Sequence, residues 1–390
     1  MKIITIIAKN NSLKFSLWNM NNEVVVANGI IERIGLENSR MIIQYNKEQI
    51  VEELECNTHL ESIHILLDKL VALEFIKNYE DIDAISCKVL FGKEHYEEKL
   101  FLSNELLSSL EEYSWMETMK PTIEALSAFH NLLPNTDIIC VFDNAFYHSL
   151  EKESYLYAAP YKWYREYGIR KYGYQGIIHS YVLEKIEQEL QKENSKIISC
   201  CLDHEGSISA IKNHMCIDTT MGFTPLTGIM MGTKCGDIDP SMIPYIMEKE
   251  GKNVGEVLDD LNHNSGLLGL SESSSDLRDI MILSDDEHPN ALLAKKKYVK
   301  TVTDYIAQYY IQLEGVDAII LTGFIGENNK EIQKAIFEKF AFLGIKINVE
   351  EEKTDEIQKI STEDSTIPVY IIPNKEEWML AKKALELKNR

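Results

Sequence analysis

Three short apolar runs separated by two tight polar turns occur twice in this chain, about half its length apart. In the first copy residues 3–8 form a β-branched run ended by Asn10 and Asn11, after which Leu13, Phe15 and Leu17 alternate with polar neighbours. A turn at residues 19–22 leads to residues 23–27, and Asn28-Gly29 reads as the stop. Alternation at period two between turn formers predicts strand, tight turn, strand, and so a three-stranded meander. The second copy has residues 196–202, the polar turn Asp203-His204-Glu205-Gly206, residues 207–211, a turn at 212–214 and residues 215–219. The pattern recurs although the residues do not. Solenoid repeats run to about 20 to 50 residues, so a spacing near half the chain predicts two similar domains instead.

Each meander leads through long helix-like stretches to a buried strand that ends in a turn. In the first half this is residues 137–142 followed by Asp143-Asn144-Ala145-Phe146. In the second it is residues 316–321 followed by Thr322-Gly323-Phe324-Ile325-Gly326-Glu327-Asn328. Open α/β sheets place ligands at such strand tips. A chain of 390 residues also exceeds what one hydrophobic core usually serves. The expected division is residues 1–146 with 378–390 as one domain and 147–377 as the other. Between the halves, Tyr155, Tyr157, Tyr161, Trp163, Tyr164, Tyr167, Tyr172 and Tyr174 are interleaved with Pro160, Gly168, Gly173 and Gly176. Proteins that stack bases pair aromatics with a basic groove, so this segment is expected to be a packed connector. The acidic blocks 285–287 and 350–352 are expected to be solvated loops.

Composition narrows the partners. With 62 acidic against 40 basic side chains the formal charge is −22, which works against nucleic acid and anionic membranes. A small phosphorylated ligand in a local pocket stays compatible with it. Seven cysteines without a C-x-x-C pair fit neither a disulfide framework nor a structural zinc site, and a reducing cytoplasm is the expected home. The opening apolar run is too short for a signal peptide, and no stretch approaches 18 apolar residues, so no membrane span is expected.

The run Asp218-Thr219-Thr220-Met221-Gly222-Phe223-Thr224-Pro225-Leu226, with Met231-Gly232-Thr233-Lys234-Cys235-Gly236-Asp237-Ile238-Asp239-Pro240 after it, resembles the acetate kinases. So do Tyr155-Leu156-Tyr157-Ala158, Tyr167-Gly168-Ile169-Arg170-Lys171-Tyr172-Gly173, Ser265-Gly266-Leu267-Leu268-Gly269, Ser275-Asp276-Leu277-Arg278-Asp279 and Ile325-Gly326-Glu327-Asn328. The similarity spans essentially the whole chain in order. It implies an α/β fold of two duplicated actin-like, RNase H-like domains, the sugar kinase, Hsp70 and actin type, closing over a cleft. It also implies transfer of the ATP γ-phosphoryl group to acetate, dependence on Mg²⁺, and a homodimer.

Phosphoryl transfer is mostly positioning and charge stabilisation, so the cations and donors matter most. Where the family's first strand ends in N-x-G-S-S-S-x-K, this chain reads Ile7-Ala8-Lys9-Asn10-Asn11-Ser12-Leu13-Lys14. Ser12 and Lys14 are kept, Asn10 takes a serine's place, and Lys9 loses the glycine's freedom in a turn that meets phosphate. Two arginines of the family fall on Lys88 and Lys234, which keep the charge but not the flat bidentate fork. The phosphoryl-stabilising histidine falls on Gln175 and a second one on Thr118, while His179 matches a family histidine and reads equally as a core residue. In the second phosphate turn, His-Leu-Gly-Asn-Gly becomes Cys201-Leu202-Asp203-His204-Glu205. Both glycines have become acids, which either face phosphate or point to solvent. Asp143 and Glu376 match family residues linked to the metal or the phosphates, and carboxylates with water suit Mg²⁺. The acetate pocket maps to Leu90, Tyr174 and Pro225, with Glu117 in a fourth place. Nucleotide contacts map to Asp276, Leu277 and Arg278 and to the adenosine turn Gly323, Phe324, Gly326 and Asn328, where Phe324 replaces a glycine.

Removing one charge-stabilising donor typically costs about 100-fold to 1000-fold in rate, and several positions change here together. The expectation is therefore an acetate kinase homologue, with ATP or ADP as ligand, whose catalysis is lost or strongly altered. The alternative is a working acetate or propionate kinase in which Lys88, Lys234 and Gln175 act for the usual arginines and histidine. A kinase redirected to another donor or acceptor is a third possibility.

Overall fold

The computed structural model describes residues 1–92, 98–348 and 356–390, so the acidic block 350–352 lies outside the described residues. The chain packs as two units, Met1–Ala145 with Lys375–Arg390, and Phe146–Asn374.

In the first unit the strands are β1 (Lys2–Lys9), β2 (Ser12–Asn19), β3 (Val24–Glu32), β4 (Ser39–Tyr45), β5 (Glu48–Leu54), β6 (Ala84–Val89), β7 (Lys99–Phe101) and β8 (Asp137–Phe142). They form one sheet in the order β5-β4-β3-β2-β1-β6-β8-β7. The second unit has β9 (Lys196–Cys201), β10 (Ser207–Lys212), β11 (Met215–Thr219), β12 (Ala318–Thr322), β13 (Gln358–Lys359) and β14 (Val369–Ile371), ordered β11-β10-β9-β12-β14-β13. The duplication lies in the pairing. An antiparallel meander, β1 to β3 or β9 to β11, is extended from its first strand by two parallel strands, β6 and β8 or β12 and β14.

The parallel strands are mainly apolar because both of their faces are covered, with Ser86 and Lys88 as buried polar residues inside β6. Every residue of β6 and of β12 is buried. Each buried Ile or Leu contributes roughly 1.5 to 3 kcal/mol relative to exposure, so these central strands anchor the residues at their tips. In the second unit the helix Pro289–Gln312 covers the sheet with Ala291, Ala294, Tyr298, Val302, Ile306 and Tyr309. Its start is set by a proline in the first turn and by the His288 ring, which accepts from the Ala291 N–H.

Asn28-Gly29 does not end the third strand, which runs on to Glu32 and pairs with β4. A glycine is needed there for a different reason. A Cβ at Gly29 would stand 2.1 Å from the Ile42 carbonyl oxygen and 3.0 Å from the Phe15 ring. Neither neighbour is a flexible chain end, so Gly29→Ala is expected to destabilise by about 1 to 3 kcal/mol, read as a lower urea midpoint. An unchanged midpoint would mean that β3 and β4 separate locally at no cost.

The aromatic segment packs only in part, with Tyr164 against the buried Tyr155. Tyr155 and Tyr174 are buried, but the helix Tyr161–Tyr167 buries none of its residues. Asp285, Asp286 and Glu287 are exposed at and beyond the end of the helix Leu277–Asp285, in line with a solvated block. All seven cysteines are free thiols, six of them buried. Among the described residues no helix is long and apolar enough to cross a membrane.

Candidate functional site

In the first unit β1, β6 and β8 run parallel, so their carboxyl ends lie side by side. Lys88 is the next-to-last residue of β6, Asp143 follows directly on β8, and Glu376 opens the helix Glu376–Lys388. The Lys88 ammonium lies 3.2 Å from Asp143 Oδ2 and also bonds Glu376 Oε1. Asp143 is fully buried and Lys88 only 8% exposed, so this lysine is a fixed internal cation. Burial alone would pull its pKa down, but Asp143 and Glu376 outweigh that and hold it above the ordinary lysine value. Burial pushes the Glu376 carboxyl up, and the attraction of Lys88, with smaller contributions from Lys9 and Lys14, brings it below its usual range.

Lys14 pairs with Glu377 at 3.4 Å, while burial raises the Glu377 carboxyl. Asn10 is exposed, and Ser12 sits opposite Lys9 at the start of the hairpin. Leu90 is half-buried just beyond β6. A residue that the sequence did not single out organises this end of the sheet. The Asn144 side chain accepts from the Gly92 N–H and donates to the Gly92 carbonyl, 2.8 Å each, and so clamps the loop after β6 onto the Asp143 turn. Its one sequence signal was its place beside Asp143.

In the second unit both acids of the turn after β9 are engaged by neighbouring groups, although the Glu205 side chain stays 42% exposed. Asp203 accepts from the His204 N–H at 2.7 Å and the Phe324 N–H at 3.3 Å, and Glu205 Oε1 bonds the Lys234 ammonium. Lys234 is buried. Gln175 donates from its amide to the Glu205 carbonyl at 3.0 Å. The residues that stand in for a family histidine, a glycine and an arginine therefore touch one another. His204 is exposed, and its carbonyl accepts from the Gly232 N–H.

Beside this turn, Gly323 adopts φ +81° with its absent Cβ 2.7 Å from the Leu202 carbonyl oxygen, so the chain turns against β9 as only glycine readily does. The Gly326 N–H also reaches that carbonyl, at 3.1 Å, and Asn328 donates to the Phe324 carbonyl. The Phe324 ring is exposed, with the Arg278 guanidinium 5.3 Å from its centroid. Asp276 caps the helix Leu277–Asp285 through the Arg278 N–H and also binds the Arg278 side chain, which lowers the Asp276 carboxyl. Leu277 is buried. Tyr174 is buried with its hydroxyl on the Phe223 carbonyl, and Pro225 is half-buried two residues further on. Thr118 and Glu117 lie in the short helical turn Glu117–Met119 of the first unit. His179 is fully buried between two serines, and burial lowers its pKa to about 3, as suits a neutral core histidine.

Among the described residues no three His, Cys, Asp or Glu side chains gather in a way that would hold a metal. Mg²⁺ does not require that many. It keeps several waters and takes one or two carboxylates with substrate phosphates, which Asp143 and Glu376 match in number and type.

The family model described as the Acetokinase family matches residues 2–382. Acetate kinase of Clostridium novyi (strain NT) is 39% identical over 394 residues, covering 99% of this chain and 98% of that protein. Acetate kinase of Bacillus subtilis (strain 168) is 39% identical over 395 residues, covering 99% of each. Among solved structures, Porphyromonas gingivalis acetate kinase superposes with a TM-score of 0.90 at 30% identity over 99% of both chains. A propionate kinase from Francisella tularensis subsp. tularensis SCHU S4 gives 0.92 at 30% identity over 98% of both. With the repeated sheet order, the fold is the duplicated actin-like α/β type.

Proposed function

The chain belongs to the acetokinase family, and on that premise we propose that it transfers the γ-phosphoryl group of ATP to a short carboxylate, acetate or propionate. The observation that carries this is the buried Lys88–Asp143–Glu376 cluster at the strand tips of the first unit. A cation kept charged in a desolvated place is a preorganised partner for the charge that develops on a phosphoryl group or on the carboxylate that attacks it. Lys234 supplies a second buried cation, and Gln175 an amide donor in the histidine's place. Asp143 and Glu376 would hold Mg²⁺, which when bound neutralises phosphate charge.

The resemblance assigns the acid's short alkyl group to Leu90 in the first unit and to Tyr174 and Pro225 in the second, and Leu90 is bulkier than the family's valine. Asp276, Arg278 and the exposed Phe324 ring offer a nucleotide polar groups and a stacking face. A reducing cytoplasm suits seven free thiols. A homodimer would give the exposed Tyr161, Trp163, Tyr167 and Tyr245 something to cover, and light scattering at micromolar concentration measures it.

A second reading is favoured by the acids of the 203–205 turn. Asp203 already occupies the Phe324 N–H, and Glu205 already neutralises Lys234. Unlike the Lys88 pairs, these put carboxylates into the turn that the family gives to phosphate, which supports lost or strongly altered transfer. Acetyl phosphate formation from ATP, Mg²⁺ and acetate, trapped as the hydroxamate, separates the two. Turnover above about 1 per second is the expected result for a working kinase. Turnover at the level of the enzyme-free control, with ADP still raising the melting temperature, would establish a nucleotide binder without transfer.

A further inference from the structure

We infer that His179 and Ser207 are positioning residues that set the side-chain amide of Gln175 through a directed chain of hydrogen bonds; the catalytic use of that amide rests on the transfer reading above. The chain has four links. The Ser199 hydroxyl is 2.7 Å from His179 Nδ1, and His179 Nε2 is 2.8 Å from the Ser207 hydroxyl. Ser207 Oγ is then 2.6 Å from Gln175 Oε1, and Gln175 Nε2 is 3.0 Å from the Glu205 carbonyl oxygen. Ser199, His179 and Ser207 have no solvent exposure, so water cannot replace a missing partner.

The Glu205 carbonyl can only accept, and this sets the sense of every other link. It requires the NH₂ end of Gln175 to face it, which leaves Oε1 facing Ser207. Ser207 must give its single proton to Oε1, so it accepts from His179, and His179 carries its proton on Nε2. Nδ1 then accepts from Ser199. With the imidazole proton on Nδ1 instead, Ser207 would spend its hydrogen on Nε2 and set Oγ against Oε1, two acceptors 2.6 Å apart. Rotating the amide would relieve that clash only by turning Oε1 onto the Glu205 carbonyl. Tautomer and amide orientation are therefore one choice.

Two further features fit a held side chain. Gln175 sits at φ +62°, a left-handed backbone uncommon outside glycine, and such strain persists only where the surroundings fix it. Glu205 takes Gln175 on its carbonyl and Lys234 on its carboxylate, so the relay ends where the second buried cation is held.

The test uses the full-length chain with ¹⁵N in its histidine and glutamine side chains. His179 is expected to show a protonated Nε2 and a bare Nδ1. The side-chain resonance that Gln175→Ala removes identifies Gln175, and it should move in Ser207→Ala and also in Ser199→Ala, three hydrogen bonds away. A proton on Nδ1, or a Gln175 resonance unmoved by Ser199→Ala, would overturn the relay. In the transfer assay, Ser207→Ala is expected to lower kcat on the order of tenfold with little change in KM for acetate. It should add nothing in a Gln175→Ala background, whereas losses that multiply would assign Ser207 a merely structural role. Absence of turnover in the unmodified chain would defeat the transfer reading and leave the resonance outcomes to decide the relay.

Discussion

Lys88→Met is expected to destabilise the protein by about 3 to 5 kcal/mol at pH 7, because it removes the ammonium that contacts both a fully buried and a largely buried carboxylate. The size follows from the geometry. Asp143 has no solvent exposure and Glu376 little, and Lys88 is in contact with both. The dependence on pH distinguishes this from an ordinary packing loss. In the unmodified chain the Glu376 carboxyl is held below its usual range, so its contribution is present above the ordinary carboxylate pKa and fades as pH falls through the lowered folded value. Lys88 is held above the ordinary lysine value, so its share is complete at every pH below that value and is lost only in strong alkali. Without the lysine the two carboxyls repel and are desolvated, which raises their pKa values, and the variant regains stability as protons bind. The gap between the two proteins should therefore shrink from pH 7 towards pH 4 in urea unfolding. A gap that stays constant with pH would show that Lys88 acts through its apolar stem. Lys88→Arg keeps the charge and is expected to stay close to the unmodified stability.

The two-fold meander was legible because it rests on local chemistry, namely alternation at period two and turn formers at fixed offsets. The strands β1, β2 and β9 to β11 stand within about two residues of where those signals put them. Asn28-Gly29 misled because the same residue type serves two purposes. A turn wants glycine for its backbone, and a tight strand pair wants it for the missing Cβ, as the 2.1 Å approach to the Ile42 carbonyl shows. The β4–β5 hairpin carried no such signal, since β5 is largely exposed and reads as polar.

At the site, residue types were readable but their partners were not. Lys88, Asp143 and Glu376 lie far apart in sequence, and only the ends of β6 and β8 with the start of the last helix bring them to one point. The acids at 203 and 205 read as repulsion toward phosphate when taken singly. In the fold one caps a backbone N–H and the other holds Lys234, and which of these dominates function depends on strengths that residue identity does not carry.

Lys234→Ala and Glu205→Gln are expected to move transfer in opposite directions, although they break the same ion pair. On the transfer reading, removing the buried ammonium deletes a charge-stabilising donor, and kcat should fall about 100-fold to 1000-fold. Glu205→Gln keeps the length and the backbone carbonyl that holds Gln175 while deleting an anion from the turn that the resemblance assigns to phosphate. A carboxylate about 4 Å from a phosphate charge costs on the order of 1 kcal/mol in a watery setting and about 4 at an effective dielectric near 20. At roughly 1.4 kcal/mol per tenfold, kcat/KM for ATP should rise about fivefold at the watery limit and more where the turn is desolvated. The rise should vanish in a Lys234→Ala background if Glu205 acts by occupying that cation, and persist there if it acts by repelling phosphate directly. The Glu205 side chain is partly exposed whereas Lys234 is buried, so leaving the lysine unpaired has its own cost, and the melting temperature has to be followed beside the kinetics. A Glu205→Gln protein that stays folded and loses transfer as severely as Lys234→Ala would show that the acid is needed to place the cation, and that the 203–205 turn is built around the pair and not despite it.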